Sequence, residues 1–225
     1  MPSPFDQSTY QVRFDWGVEG LARIAPADVV VVVDVLRFSS SMADAVARGD
    51  RMGREEALVW SVNGAAVAAA AADRADAPVV LLGSIRNAAA TARAVLAVQE
   101  RRAARTAVTV IAAGERTPEG GLRFAVEDQL GAGAVLAALS DLGIDHSSPE
   151  AAAAAESFRA LRRALRHLLT ASGSGRELAE GVEVTERMRA AGVQPVTVAD
   201  AAELDAVDAV PVLRDGVFMA FDAAG

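Results

Sequence analysis

An aspartate and an arginine, Asp34 and Arg37, stand between a run of five valines (Val29–Val33) and three serines, Ser39, Ser40 and Ser41. Further along, polar residues collect in short groups: Asn63-Gly64, Ser84 with Asn87, Gly114-Glu115 and Glu127-Asp128. Asp34, Glu115, Glu127 and Asp128 are hard oxygen donors of the kind Mg²⁺ takes. Arg37 and the serine hydroxyls suit a phosphate or sulfonate. Together they are the ingredients for metal-assisted hydrolysis of a small phosphoester. Each group also has a plainer reading. An Asp after an apolar strand is often a turn former or helix cap, and acids in a first helical turn are favoured by the dipole alone.

The elements that must position these residues follow from hydrophobic pattern. Consecutive β-branched residues at 29–33 predict a strand buried on both faces, as in a parallel sheet covered by helices. A serine among Ser39–Ser41 is expected to cap the next helix, which ends near Gly49. Residues 10–16 read as an edge strand. Strands are also expected at 58–62, 78–83 and 107–113, and helices at 64–74, 88–102 and 125–142. Ser148-Pro149-Glu150 opens a long helix to about Thr170, whose Arg159, Arg162, Arg163, Arg166 and His167 read as a solvated face. SGSG at 172–175 breaks it, and a helical piece follows at 176–191. The sequence ends in two short strands around Arg214-Asp215-Gly216. Repeated β-α units predict a parallel sheet with crossover helices. All strand exits then share one sheet edge, where open α/β sheets bind ligands.

Composition narrows the chemistry. The 225 residues carry a formal net charge of −8, against a nucleic-acid partner. No cysteine is present, which removes thiolate catalysis and Cys-based zinc sites. All 22 basic residues are arginine, which removes Schiff-base and Walker-type lysine chemistry. Position 36 is Leu, so the D-x-D of haloacid-dehalogenase phosphotransferases is absent. Neither G-x-G-x-x-G nor a P-loop occurs. His146 and His167 form no metal-spaced pair and support no Ser-His-Asp triad. No apolar run reaches the ~20 residues of a membrane helix, and residues 1–10 lack signal-peptide character. A cytoplasmic protein with no membrane partner is expected.

VVVVDVLRFSSSMADAVARG, SVNGAAVAAAA, VVLLGSIRNAAATA and VIAAGERTPEGGLRFAVEDQLGAGAVLAAL, in that order, resemble the 2-phosphosulfolactate phosphatases of coenzyme M biosynthesis, the ComB family. SGRELAEGV and AVPVLRDGVFMAF are similar to the C-terminal region of its bacterial branch. The resemblance implies an α/β/α sandwich and a Mg²⁺-dependent phosphatase acting on a small anionic phosphomonoester. Position by position, Asp34 and Arg37 match D-x-L-R, Asn63 and Gly64 match T-N-G, and Ser84 and Asn87 match G-S-x-x-N. Gly114 matches A-G, and Glu127 and Asp128 match E-D. Between Gly49 and Asn63 the family runs several dozen residues longer, and Val62 stands where its Thr would be.

The expectation is one ComB-like domain over 1–225, with 149–225 as a C-terminal part packed on it. Asp34, Arg37, Glu127 and Asp128 are the catalytic candidates, with Asp34, Glu127 and Asp128 as metal ligands. Arg37, Ser39, Ser40, Asn63, Gly64, Ser84, Asn87, Gly114 and Glu115 are the substrate-binding candidates. The shortened sheet is compatible with a homodimer. A shortened domain that binds a small anion or a protein partner without turnover is the alternative.

Overall fold

The five valines do form the central strand. In a computed structural model, which describes residues 3–181 and 183–223, β2 (Val29–Val33) is buried along its whole length. It lies parallel between β4 (Val79–Gly83) and β5 (Val108–Ala112). The edge strand β1 (Val12–Trp16) pairs parallel with β5. On the far side of β4 the sheet turns antiparallel. β8 (Pro211–Arg214) pairs with β4, β9 (Val217–Ala220) with β8, and the two-residue β3 (Met52–Gly53) with β9. The order is β1-β5-β2-β4-β8-β9-β3, a mostly parallel α/β sheet between two helical layers.

Alternate valines feed the two layers. Val30 and Val32 pack with α1 (Gly17–Arg23), α2 (Phe38–Ala47), α3 (Arg54–Trp60), α4 (Gly64–Ala72) and Met188 of α10 (Glu183–Ala190). Val29, Val31 and Val33 pack with α5 (Ala88–Arg102), α6 (Val126–Asp141), α7 (Pro149–Leu161) and α8 (Leu165–Ala171). Two helices remain, α9 (Gly173–Glu180) and α11 (Val198–Ala201), and a small ribbon of β6 (Glu115–Arg116) with β7 (Leu122–Arg123) follows β5. The chain leaves β2 into one layer and leaves β5 into the other. Neighbouring strands whose connections diverge in this way open a crevice at their carboxyl ends.

Three local expectations change. Residues 58–62 are not a strand; the segment is the helix α3. Glu55 and Glu56 sit favourably in its first turn, and Ala57 and Trp60, three residues apart, bury one face. The sheet position beside β4 goes instead to β8, so the short stretch between Gly49 and Asn63 leaves no gap in the sheet. The long helix from residue 149 is broken by a 3₁₀ turn at Arg162–Ala164, after which Leu165 and Leu169 rejoin the core holding Phe158. SGSG does more than interrupt: Ser172 Oγ accepts from Gly175 N at 3.0 Å and caps α9.

Candidate active site

Asp34 follows β2 directly and is buried, 8 % exposed. Its Oδ1 accepts from Phe38 N at 3.2 Å and its Oδ2 from Gly64 N at 3.0 Å. The carboxylate therefore caps α2, a task expected of a serine, and ties the start of α4 to the same point. Gly64 is required there, because a Cβ would stand 2.6 Å from Asp34 Oδ2 and 2.7 Å from the Phe38 ring. Burial pushes the Asp34 carboxyl up to about 6; the two N–H donors oppose this, and the charges of Glu115 and Glu127 add to it.

The neighbouring strand exit supplies the other acids. Asp128, in the first turn of α6, accepts from Val35 N at 2.7 Å and from Gly114 N at 2.9 Å, joining the exits of β2 and β5. Gly131 lets α6 come this close, since a Cβ would meet Val35 Cγ2 at 2.4 Å. Burial first, then Asp34 and Glu127, hold the Asp128 carboxyl well above the usual carboxylate range. Glu127 accepts a short hydrogen bond from Ser174 Oγ. Asn63 Nδ2 donates to Glu115 Oε1 at 2.9 Å, linking the start of α4 to β6.

A cavity of about 850 Å³ opens above these exits. Asp34, Arg37, Asn63, Glu115 and Glu127 all line it. Sequence reasoning missed much of the rest of its wall, including Arg116, Arg123, Arg176, Glu177 and Glu180. Arg123 and Arg176 come from β7 and α9, which no strand-exit pattern marks; the SGSG-Arg sequence at 172–176 was the available signal. The cavity thus sets the buried acids Asp34 and Glu127 against a wall that carries four arginines and, on α9, the further acids Glu177 and Glu180. Burial lowers the Arg37 guanidinium below its ordinary range, Arg189 adds to this, and Asp34 opposes it.

Other candidate residues lie outside this wall. Ser39 and Ser40 are fully buried within α2; Ser39 Oγ donates to Val32 O and receives Asp34 N. Gly64 and Gly114 contribute the backbone N–H groups already named. Ser84 and Asn87 form a reciprocal cap on the 3₁₀ turn Ile85–Asn87, and Asn87 Nδ2 also donates to Leu82 O and Ala209 O. Among the described residues, no group of three or more His, Asp or Glu side chains converges to hold a metal ion. Asp128 does not line the cavity, its oxygens turned to Val35 N and Gly114 N, so the trio Asp34, Glu127, Asp128 forms no cage. Asp34 and Glu127 do present oxygen to one cavity. That donor set fits Mg²⁺, which takes one or two carboxylates and keeps several waters.

No helix among the described residues is long and apolar enough to cross a membrane. No curated protein matches the chain. The family described as 2-phosphosulpholactate phosphatase matches residues 49–216, about three quarters of the sequence. Asn63, Glu115, Glu127 and Arg176 fall within that span, and Asp34 and Arg37 precede it. With the α/β architecture and the strand-exit motifs in register, the chain belongs to the 2-phosphosulpholactate phosphatase family.

Proposed function

We propose that the protein hydrolyses a small anionic phosphomonoester resembling 2-phosphosulfolactate, with Mg²⁺ as cofactor. The observation that carries this reading is the buried Asp34 carboxylate, held by two backbone N–H groups at the floor of an arginine-bearing cavity. Asp34 and Glu127 would hold the cation, with water completing its shell. A Mg²⁺ bound there would offset the acids' charge and polarise a phosphoryl oxygen. Arg37 and Asn63 would bind and orient the phosphoryl group. Asp128 would act through the backbone, fixing the β2 and β5 exits so that Asp34 and Glu115 keep their places. Arg123 and Arg176 would take the substrate's remaining anionic groups. Buried Trp60 shields part of the cavity wall from bulk water, which strengthens the charge interactions beside it. The net reaction is ester plus water to alcohol plus orthophosphate.

The test is phosphate release from a panel of small phosphomonoesters, including 2-phosphosulfolactate and phospholactate, with Mg²⁺ and with EDTA. Release that EDTA abolishes is expected, fastest for esters with a second anionic group. One observation favours a second reading, binding without turnover: no closed set of three acidic ligands converges among the described residues. That reading predicts anion-induced shifts in melting with no phosphate release from any ester.

A further inference from the structure

Arg37 and Asp34 are opposite charges lining one cavity, Asp34 buried and Arg37 half-buried, and the Arg37 guanidinium feels the Asp34 charge. Such a pair is expected to close into a salt bridge, because attraction strengthens as water is excluded. It does not. The ion pairs among the described residues include neither Arg37 nor Asp34. Instead, Arg37 Nη2 donates to Thr185 Oγ1 of α10 at 2.5 Å. Asp34 spends its oxygens on Phe38 N and Gly64 N. The same arrangement recurs one helix earlier, where Ser174 Oγ of α9 donates to Glu127. In each case a hydroxyl from the C-terminal helices holds a charged side chain of the cavity.

We propose that Thr185 is a positioning residue: its hydroxyl holds the Arg37 guanidinium off the Asp34 carboxylate, so that both charges stay available to ligand. Two features favour Thr185 for this task. α10 is anchored independently of the hydroxyl, because Met188 is fully buried in the core with Trp60 and Phe38, and Arg187 Nη1 donates to Val59 O at 3.4 Å. The helix therefore fixes the acceptor without needing Arg37. Further, Arg37 has five N–H donors and gives Thr185 those of one nitrogen, leaving the others for a phosphoryl oxygen. Without the hydroxyl, the guanidinium turns to the carboxylates that share its cavity, Asp34 among them, and the opposite charges neutralise each other.

The proposal rests on the phosphatase reading for its consequence in turnover, but its geometry is testable without it. Thr185→Val keeps the shape and removes the hydroxyl; Thr185→Ser keeps the hydroxyl. For Thr185→Val, affinity for inorganic phosphate measured by calorimetry falls about tenfold, and KM for a hydrolysed ester rises by the same factor. Its melting midpoint in EDTA holds or rises by about 2 °C, because a new ion pair forms. Thr185→Ser matches the wild type in both readouts. In an Asp34→Asn background, Thr185→Val no longer holds or raises the midpoint, since the pair cannot form. A lower midpoint with unchanged phosphate affinity would mean that Thr185 only anchors α10, and tighter phosphate binding would mean that it competes with ligand; either result overturns the proposal. If the wild type hydrolyses no ester, the phosphatase reading fails, while phosphate affinity and the midpoint still decide the role of Thr185. If it does not bind phosphate either, the midpoints in the two backgrounds decide alone.

Discussion

On one side of β2 the chain leaves β5 for α6, and on the other it leaves β4 for α5; both helices lie in the layer opposite α2. Both junctions therefore have the divergent connections that open a crevice. Both also carry polar residues at the strand exit, Glu115 beside β5 and Ser84 with Asn87 beside β4. Yet only the β5 side faces the cavity of about 850 Å³. The β4 side is covered by residues 205–209. Asp205 N donates to Ile85 O and Val207 N to Arg86 O, while Ala89 N donates to Asp205 Oδ1 at 2.7 Å and Asn87 reaches Ala209 O at 3.1 Å. A polar residue at a strand exit is thus ambiguous until the rest of the chain has been laid over it. Where a later segment lies directly on the exit, the polar residue satisfies backbone; where later helices stand off it, as α9 and α10 do, the residue faces a cavity.

The largest expected effect separates the two sides outright. Asp34→Asn lowers turnover roughly 100- to 1,000-fold, the scale of losing one charge-stabilising group, as a phosphate-release assay would read. The fold tolerates this change. Relief of the buried charge stabilises, while one backbone N–H now faces an amide N–H, which costs about 1–3 kcal/mol. The two terms oppose, so the melting midpoint near neutral pH moves little.

The same charge gives the open side a pH signature. The Asp34 carboxyl is raised to about 6 in the folded protein from 3.8. The folded state therefore binds the proton more tightly than the unfolded state. Its contribution is fully present below the unfolded value and is lost as pH rises through the folded one. For Asp34 alone this amounts to about 2 kcal/mol between pH 4 and 7. Denaturant titrations in EDTA would show stability falling over that window, with a shallower slope in Asp34→Asn. A wild-type stability that rises from pH 4 to 7 would contradict a raised carboxyl on this side.

Smaller effects sharpen the contrast. Gly64→Ala forces a methyl against Asp34 Oδ2 and Phe38, costing about 1–3 kcal/mol and lowering turnover together. On the covered side, Asn87→Ala strips partners from Ser84 N, Leu82 O and Ala209 O. It is expected to cost about 1–3 kcal/mol in denaturant unfolding while turnover stays within about twofold of wild type.

The parts of this arrangement that were legible in the sequence are local. Five valines ending in Asp34 make a buried central strand with a carboxylate at its tip, and Glu115 at the same sheet edge follows from repeated β-α units; Asn63 reaches that edge from the turn between α3 and α4, not from a strand exit. The rest depends on sequence-distant segments. Nothing near Ser84 and Asn87 announces that residues 205–209 will cover them. Nothing near Arg37 or Glu127 announces Thr185 or Ser174, which arrive from about 150 and 47 residues away. The strand expected at 58–62 failed for a related reason: LVWSV has strand composition, but its sheet position is filled by β8, and Ala57 with Trp60 gives the segment a helical face to bury. The serines after Arg37 were read as a cap because serine caps well in general; here Asp34 is close enough to do it, and the serines turn inward.

The most direct measurement compares phosphate release by wild type, Asp34→Asn and Asn87→Ala on one ester that the wild type hydrolyses, each with Mg²⁺ and with EDTA. The expected result is metal-dependent release by wild type and Asn87→Ala at similar rates, and near-complete loss in Asp34→Asn despite an intact cooperative melt. Equal loss in a well-folded Asn87→Ala, or full release by Asp34→Asn, would contradict the placement of the chemistry between β2 and β5.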